Sequence, residues 1–226
     1  MEASAKEFWS ERKEEFGRTS SNATLFRFLG QAGFDFTRKK VLEVGFGFGS
    51  DLLEAERRGA EIYGVDISAK AVEAFRQRTG RTTVRVADMT LAPPGFDCLF
   101  DAIYSRDTVY YFSDAELTAF AGHCRDALVP GGLLMLHFIQ GSGRRDVADT
   151  VSARPVPLDD WQWQDHSLHP DNPIRHLDPE DLAGIMAEAG LRLVGKKTVW
   201  ETYGVREDLI QCNRYLLFAR PVSASP

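Results

Sequence analysis

The chain has 226 residues, a formal charge of -6 from 27 basic and 33 acidic side chains, and 43% hydrophobic residues. That length suits one sizeable domain, the apolar share excludes wholesale disorder, and the acidic balance argues against a dedicated nucleic-acid surface, which would show a basic patch. Three cysteines, Cys98, Cys124 and Cys212, lie far apart without metal-ligand spacing. Free thiols in a reducing compartment are expected, and no metal site. No stretch is long and apolar enough to span a membrane, and the charged residues 1–15 do not read as a secretory signal. The expectation is a cytoplasmic protein with neither membrane nor nucleic-acid partners.

Residues 5–16 have the pattern of a charged amphipathic helix with Phe8, Trp9 and Phe16 as its apolar members, ended by Gly17. Residues 20–31 read as a second helix, with Leu25, Phe26, Phe28 and Leu29 on one side. The stretch 40–68 follows, and the rest of the chain is organised around it. A short apolar run, Val41, Leu42 and Val44, is interrupted by Glu43. Gly45, Gly47 and Gly49 come next, then a helical pattern with Leu52 and Leu53, then Gly59, and a second apolar run that ends in Asp66. Strand, glycine loop, helix, strand and acid form the first half of a nucleotide-binding βαβ unit. An acid at the end of the second strand is placed to accept hydrogen bonds from ribose hydroxyls.

A dinucleotide fingerprint, G-x-G-x-x-G, brings a pyrophosphate to a helix N-terminus. Here the third glycine comes one residue early and Ser50 stands where the fingerprint wants glycine. Glu43, two residues before the first glycine, would repel a pyrophosphate but suits a cation. S-adenosylmethionine carries a sulfonium and an ammonium group and no phosphate. The run Glu43-Val44-Gly45-Phe46-Gly47-Phe48-Gly49 with Asp66 resembles motif I and the following acidic residue of the class I S-adenosylmethionine-dependent methyltransferases. The resemblance implies cofactor contacts at Glu43, Gly45, Gly47, Gly49, Asp66 and Ile67. It also implies S-adenosylmethionine as cofactor, S-adenosylhomocysteine as product and a small-molecule acceptor as partner.

Further along, Ser68 is an N-cap for a helix to about Gln77, and Gly80 stops it. Residues 82–86 alternate as a third strand. The resemblance places Asp88 at the adenine amino group and Met89 on the ring. Residues 99–104 read as the fourth strand. Ser105, Arg106 and Tyr110 follow in the family's post-strand motif, whose first residues line the cofactor. Ser113 and Glu116 form a capping box for a helix to about Leu128. The run LVPGGLLML matches the family's helix-turn-strand ending, with residues 133–139 as the fifth strand. Residues 141–178 depart from regular patterning, and long aromatic segments of this kind are commonly functional. Asp178 and Pro179 start another helix, ended by Gly190, and residues 191–203 and 215–220 read as the last two strands. The implied fold is a doubly wound α/β domain. It has a seven-stranded, mostly parallel sheet of order 3-2-1-4-5-7-6, its last strand antiparallel, with helices on both faces. One domain, 1–226, would carry lid helices over 1–36 and an acceptor cap over 141–178.

Methyl transfer from a sulfonium mainly needs alignment and a dry chamber; a base is needed only where the acceptor must lose a proton. Tyr111 stands where several similar small-molecule methyltransferases carry a histidine, and could orient the acceptor through its hydroxyl. His137 lies near the carboxyl end of the fifth strand, where pockets open in such sheets, as a base or as a satisfied core histidine. Trp9 and Arg18, with Phe16 and Thr19, are lid candidates. Trp161, Trp163 and His166 are candidates for contact with the acceptor, and Arg106 and Arg175 could bind an acceptor carboxylate. The acceptor atom is open between oxygen and nitrogen. Two other classes stay open: a non-catalytic S-adenosylmethionine-binding protein that uses residues 141–178 for a partner, and an NAD-dependent oxidoreductase.

Overall fold

The computed structural model describes residues 8–9, 20–144, 177–202 and 209–222. Seven strands form one sheet in the order β3-β2-β1-β4-β5-β7-β6. They are β1 (Lys40–Val44), β2 (Glu61–Asp66), β3 (Val84–Val86), β4 (Phe100–Arg106), β5 (Leu128–Arg144), β6 (Arg192–Thr202) and β7 (Leu209–Ala219). The first five run parallel, while β7 pairs antiparallel with both β5 and β6. The expected strand order and the antiparallel last strand are therefore both present. β5 and β7 are longer than the sequence pattern suggests. They pair with each other beyond the parallel part of the sheet, as far as Arg144 opposite Leu209.

Local chemistry sets where the helices begin and end. In α1 (Ala23–Gln31) the Asn22 side chain accepts from the Leu25 amide, so the helix begins three residues later than residue 20. α2 (Ser50–Arg57) starts directly on Gly49, which adopts the left-handed conformation. α3 (Ala69–Thr79) is capped by Ser68 and stopped by left-handed Gly80. α4 (Asp114–Ala127) carries the complete capping box of Ser113 and Glu116. α5 (Pro179–Glu188) has Asp178 accepting two first-turn amides and proline at its first position. Among the described residues no helix is long and apolar enough to cross a membrane.

The sheet separates two apolar layers. On one face α1, α2 and α3 bury Leu25, Phe26, Leu52 and Phe75 against Val41, Ala102 and Met135. On the other, α4 and α5 bury Phe120, Leu182 and Met186 against Leu42, Ile103, Leu134 and Phe218. Each such side chain contributes about 1.5–3 kcal/mol on leaving water. Strand alternation decides which polar residues share the first face. Glu43 pairs with Tyr104 across β1 and β4, and His137 with Tyr215 across β5 and β7. These polar groups sit at the carboxyl end of the parallel strands, where open α/β sheets form their crevice.

Candidate active site

The chain leaves β1 through a bend that only glycine accommodates at its first position. Gly45 has φ +72°, and a β-carbon there would lie 2.3 Å from Thr108 Oγ1. Its amide donates to the Val65 carbonyl at 2.8 Å, which fastens the bend to β2. The Gly47 amide donates to Asp66 Oδ2 at 2.8 Å, and the Ser68 amide to Asp66 Oδ1 at 2.9 Å. Asp66 therefore ties the glycine loop to the start of α3 besides facing the crevice. Burial pushes its carboxyl up from the ordinary range, against the pull of the Ser68 and Gly47 amides. Ile67, between these partners, is half-buried.

Beneath the loop lies an excess of buried negative charge. Glu43 is 3% exposed, and its Oε2 has no hydrogen-bond partner among the described residues. Burial holds its carboxyl well above the ordinary range, and the nearby Asp51 charge adds to this. Asp51, in the first turn of α2, is 1% exposed and accepts from the Asn22 amide at 2.6 Å. Its other oxygen lies 3.1 Å from Arg106 Nε. Burial raises the Asp51 carboxyl too, and Arg106 opposes the shift. Glu43 and Asp51 thus share the Arg106 guanidinium, and the Asp66 charge adds to the repulsion at Glu43. An uncompensated buried charge costs several kcal/mol, so such a nest favours a cation or a bound proton. Tyr104, cross-strand neighbour of Glu43, also has a buried hydroxyl without an aligned partner.

The remaining expected cofactor residues take distinct positions. Asp88 is half-buried and accepts through Oδ1 from the Thr90 amide at 2.9 Å and the Thr90 hydroxyl at 2.6 Å. Met89 is buried, and its carbonyl meets His123 Nδ1 of α4 at 2.8 Å. Ser105 is fully buried, and its hydroxyl donates to the Val44 carbonyl at 3.0 Å. That side chain braces β4 against β1 instead of lining the crevice. Arg106 reaches the Ser20 carbonyl at 3.3 Å in addition to Asp51, so it pins the approach to α1. Tyr110 is buried and meets the half-buried Tyr111 edge-on at 4.7 Å between centroids. Trp9, in a helical segment, lies edge-on to Tyr111 at 5.8 Å. A residue near the start of the chain thus touches a ring just after β4.

His137 is 1% exposed, with a polar neighbour at each ring nitrogen. Nε2 is 3.1 Å from Asn213 Oδ1. Nδ1 is 3.1 Å from Asp107 Oδ1, close enough for an ion pair but not aligned as a hydrogen bond. The Tyr215 ring packs on it at 4.6 Å. Phe16, Arg18, Thr19, Trp161, Trp163, His166 and Arg175 lie outside the described residues. Five polar residues of this region, Asn22, Asp51, Asp107, Asn213 and Tyr215, escape a reading of the sequence. Asp51 carries one local signal, an acid in the first turn after a glycine loop. The other four become neighbours only through the pairing of β4, β5 and β7 and the docking of α1.

Comparison with known proteins finds relatives of this sequence and of this fold. Residues 41–132 match a family described as "Methyltransferase domain". The chain is 26% identical over 158 residues to the ubiquinone biosynthesis O-methyltransferase of Nitrobacter winogradskyi. That alignment takes in 67% of this chain and 59% of the relative, so the chain spans less than two thirds of that protein. Among solved structures, one chain comes from work on the conversion of a disulfide bond into a thioacetal group during echinomycin biosynthesis. It superposes with a TM-score of 0.64 at 21% identity, over 95% of this chain and 87% of that one. The magnesium protoporphyrin IX methyltransferase of Synechocystis PCC 6803, solved with S-adenosylmethionine bound, gives a TM-score of 0.60 at 15% identity, over 95% and 94%. Residues 41–132 of this chain match a methyltransferase-domain model, and the seven-stranded sheet that contains them has the fold of those solved methyltransferases.

Proposed function

We propose that this protein transfers a methyl group from S-adenosylmethionine to an oxygen or nitrogen of a small molecule in the cytoplasm. The observation that carries this reading is the buried excess of carboxylate under the glycine loop, with Glu43 Oε2 unpartnered among the described residues. A pyrophosphate would meet repulsion there, whereas an ammonium group would supply the missing charge. The residues therefore fit the cofactor that the family implies. Glu43 faces its ammonium end; Gly45, Gly47 and Gly49 give close backbone approach; Asp66 and Ile67 hold the ribose; Asp88 and Met89 hold the adenine. Once bound, S-adenosylmethionine supplies a methyl carbon already activated by its positive sulfur.

What the chain adds is alignment and exclusion of water. Tyr110 and Tyr111 close the crevice after β4, and Trp9 covers Tyr111. Tyr111 orients the acceptor through its hydroxyl, and His137 acts from the end of β5. Residues 1–36 serve as a lid, with Trp9 and Arg18 turned to the acceptor, and residues 141–178 as a cap that brings in Trp161, Trp163 and His166. The N-terminal part of this reading is supported by the fastening of residues 20–22 to the site by Arg106, Asp51 and Tyr215. Calorimetry with S-adenosylmethionine, S-adenosylhomocysteine and NADH on one preparation tests it. The first two are expected to bind and NADH is not; the reverse order would overturn the proposal.

A further inference from the structure

A polar chain crosses four strands at the carboxyl end of the sheet: Asp107 after β4, His137 on β5, Asn213 on β7 and Glu201 on β6. We infer that Asp107 and His137 form a one-proton gap in the wall of the acceptor chamber, its position fixed by Asn213 and Glu201, and that this gap receives the acceptor's proton. The role in catalysis rests on the methyl-transfer reading; the position of the proton does not.

The argument runs from Glu201 inward. A carboxylate accepts hydrogen bonds and donates none. Glu201 Oε2 is 3.3 Å from Asn213 Nδ2, so the Asn213 amide nitrogen points to β6 and its oxygen points to His137. An amide oxygen also donates nothing, so His137 Nε2 must carry the hydrogen in the 3.1 Å contact. The variable site is then Nδ1, 3.1 Å from Asp107 Oδ1. With the gap empty, a bare ring nitrogen faces a carboxylate oxygen inside the protein, a repulsive arrangement. A proton in the gap, on either side, removes the repulsion. Among the described residues, Asp51 and Arg106, from α2 and β4, and Tyr215 from β7 also face the pair. Asp51 and Arg106 pair with each other.

Asp107 is the open side of the gap. Its side chain is 21% exposed, against 1% for His137. Its backbone is left-handed, φ +57°, which only a few non-glycine residues adopt readily, Asp and Asn among them. Its amide donates to the His137 carbonyl at 3.1 Å, so backbone and side chain are both referred to His137. The next residue, Thr108, abuts Gly45. Asp107 therefore stands between the sealed histidine and the glycine loop. In the balanced step, the acceptor X–H bond breaks and its proton enters the empty gap through Asp107. The X electron pair forms the bond to the methyl carbon, and the carbon–sulfur pair stays on sulfur as a neutral thioether. The gap later loses its proton to solvent by the same carboxylate. Asn213 and Glu201 are positioning residues.

Ring-nitrogen NMR of the full chain labelled with 15N-histidine tests the arrangement, with His137→Gln to assign the signals. His137 is expected to carry hydrogen on Nε2 in the wild type. Asp107→Asn keeps the left-handed backbone but removes the carboxylate, and should leave Nδ1 bare. Asn213→Leu should move the hydrogen from Nε2 to Nδ1. A wild-type ring protonated on Nδ1 alone, or ring signals of wild type and Asp107→Asn that stay identical as the pH is lowered to fill the gap, would overturn it. In parallel, Asp107→Asn should bind S-adenosylhomocysteine within about threefold of wild type. A loss beyond about tenfold would assign the carboxylate to the cofactor and overturn its role toward the acceptor. Wild type that binds no S-adenosylhomocysteine would defeat the methyl-transfer reading separately, while the ring signals still decide where the proton lies.

Discussion

Glu43→Gln isolates the charge on which the cofactor assignment depends. The side chain is 3% exposed and one oxygen lacks a partner, so ionising it inside the protein is unfavourable. Burial first, then Asp51, raises its carboxyl well above the ordinary 4.5, and Arg106 only partly offsets this. The sign follows from proton linkage. Below the unfolded value both states hold the proton and the site has no effect on stability. Above it the unfolded chain releases the proton while the folded protein keeps it, so stability falls as pH rises. The slope is up to about 1.4 kcal/mol per pH unit, continuing until the folded value is passed. Glutamine cannot ionise and escapes this loss. Urea melts at about pH 4 and about pH 8 should therefore find the ligand-free variant equal to wild type at the lower pH. At the higher pH it should be the more stable of the two, by a margin that widens as pH rises from the unfolded value toward the folded one. Asp51 and Asp66 are raised as well, so the variant's own slope becomes shallower, not flat. Saturating S-adenosylmethionine should narrow the difference, because its ammonium offsets the wild-type charge. Its Kd should rise about tenfold or more in the variant, the worth of one charge-assisted hydrogen bond. A variant less stable than wild type by the same amount at both pH values would refute the reasoning, since that result describes lost packing and not lost charge.

Asp66→Ala should weaken S-adenosylmethionine by at least about tenfold in calorimetry, and should also lower the melting temperature because the Gly47 and Ser68 amides lose their acceptor. An unchanged Kd would place the ribose elsewhere. Gly45→Ala combines a left-handed backbone, about 1–2 kcal/mol for a residue with a β-carbon, with the approach to Thr108. Denaturant unfolding should show at least that loss, and adding Thr108→Ala, which removes the Oγ1 that the new β-carbon meets, should leave the backbone part of it in place. Ser113→Ala removes the capping box of α4, far from the glycine loop in the chain. It should destabilise by about 1 kcal/mol with no change in cofactor Kd. A coupled change in Kd would mean that α4 helps shape the crevice.

Particular residues show what could be foreseen and what could not. Ser68, Ser113 and Asp178 cap the helices their positions indicate, because a cap is decided within a few residues. The alternate glycines at 45, 47 and 49 mark the loop, because positive φ and close backbone approach are properties of the residue itself. Ser105 stands in a motif whose first residues line the cofactor, and its hydroxyl goes to Val44; the position in the motif is legible, but the direction of the side chain depends on which face of β4 meets which neighbour. His137 reads from the sequence as a base or as a satisfied core histidine, and only the pairing of β5 with β7 sets Asn213 at its Nε2, with Asp107 3.1 Å from its Nδ1.

The sequence alone therefore determined the helix caps, the glycine bend and the acid that follows it, since each is written in turn chemistry or in one contiguous motif, while the strand order followed from the family resemblance that this motif carries. Only the tertiary structure decided that Glu43 and Asp51 share one arginine, and that Asp107 reaches His137. Those groups are brought together by sheet register and helix docking. The balance of charge inside a protein belongs to the space they enclose, and no stretch of chain carries it.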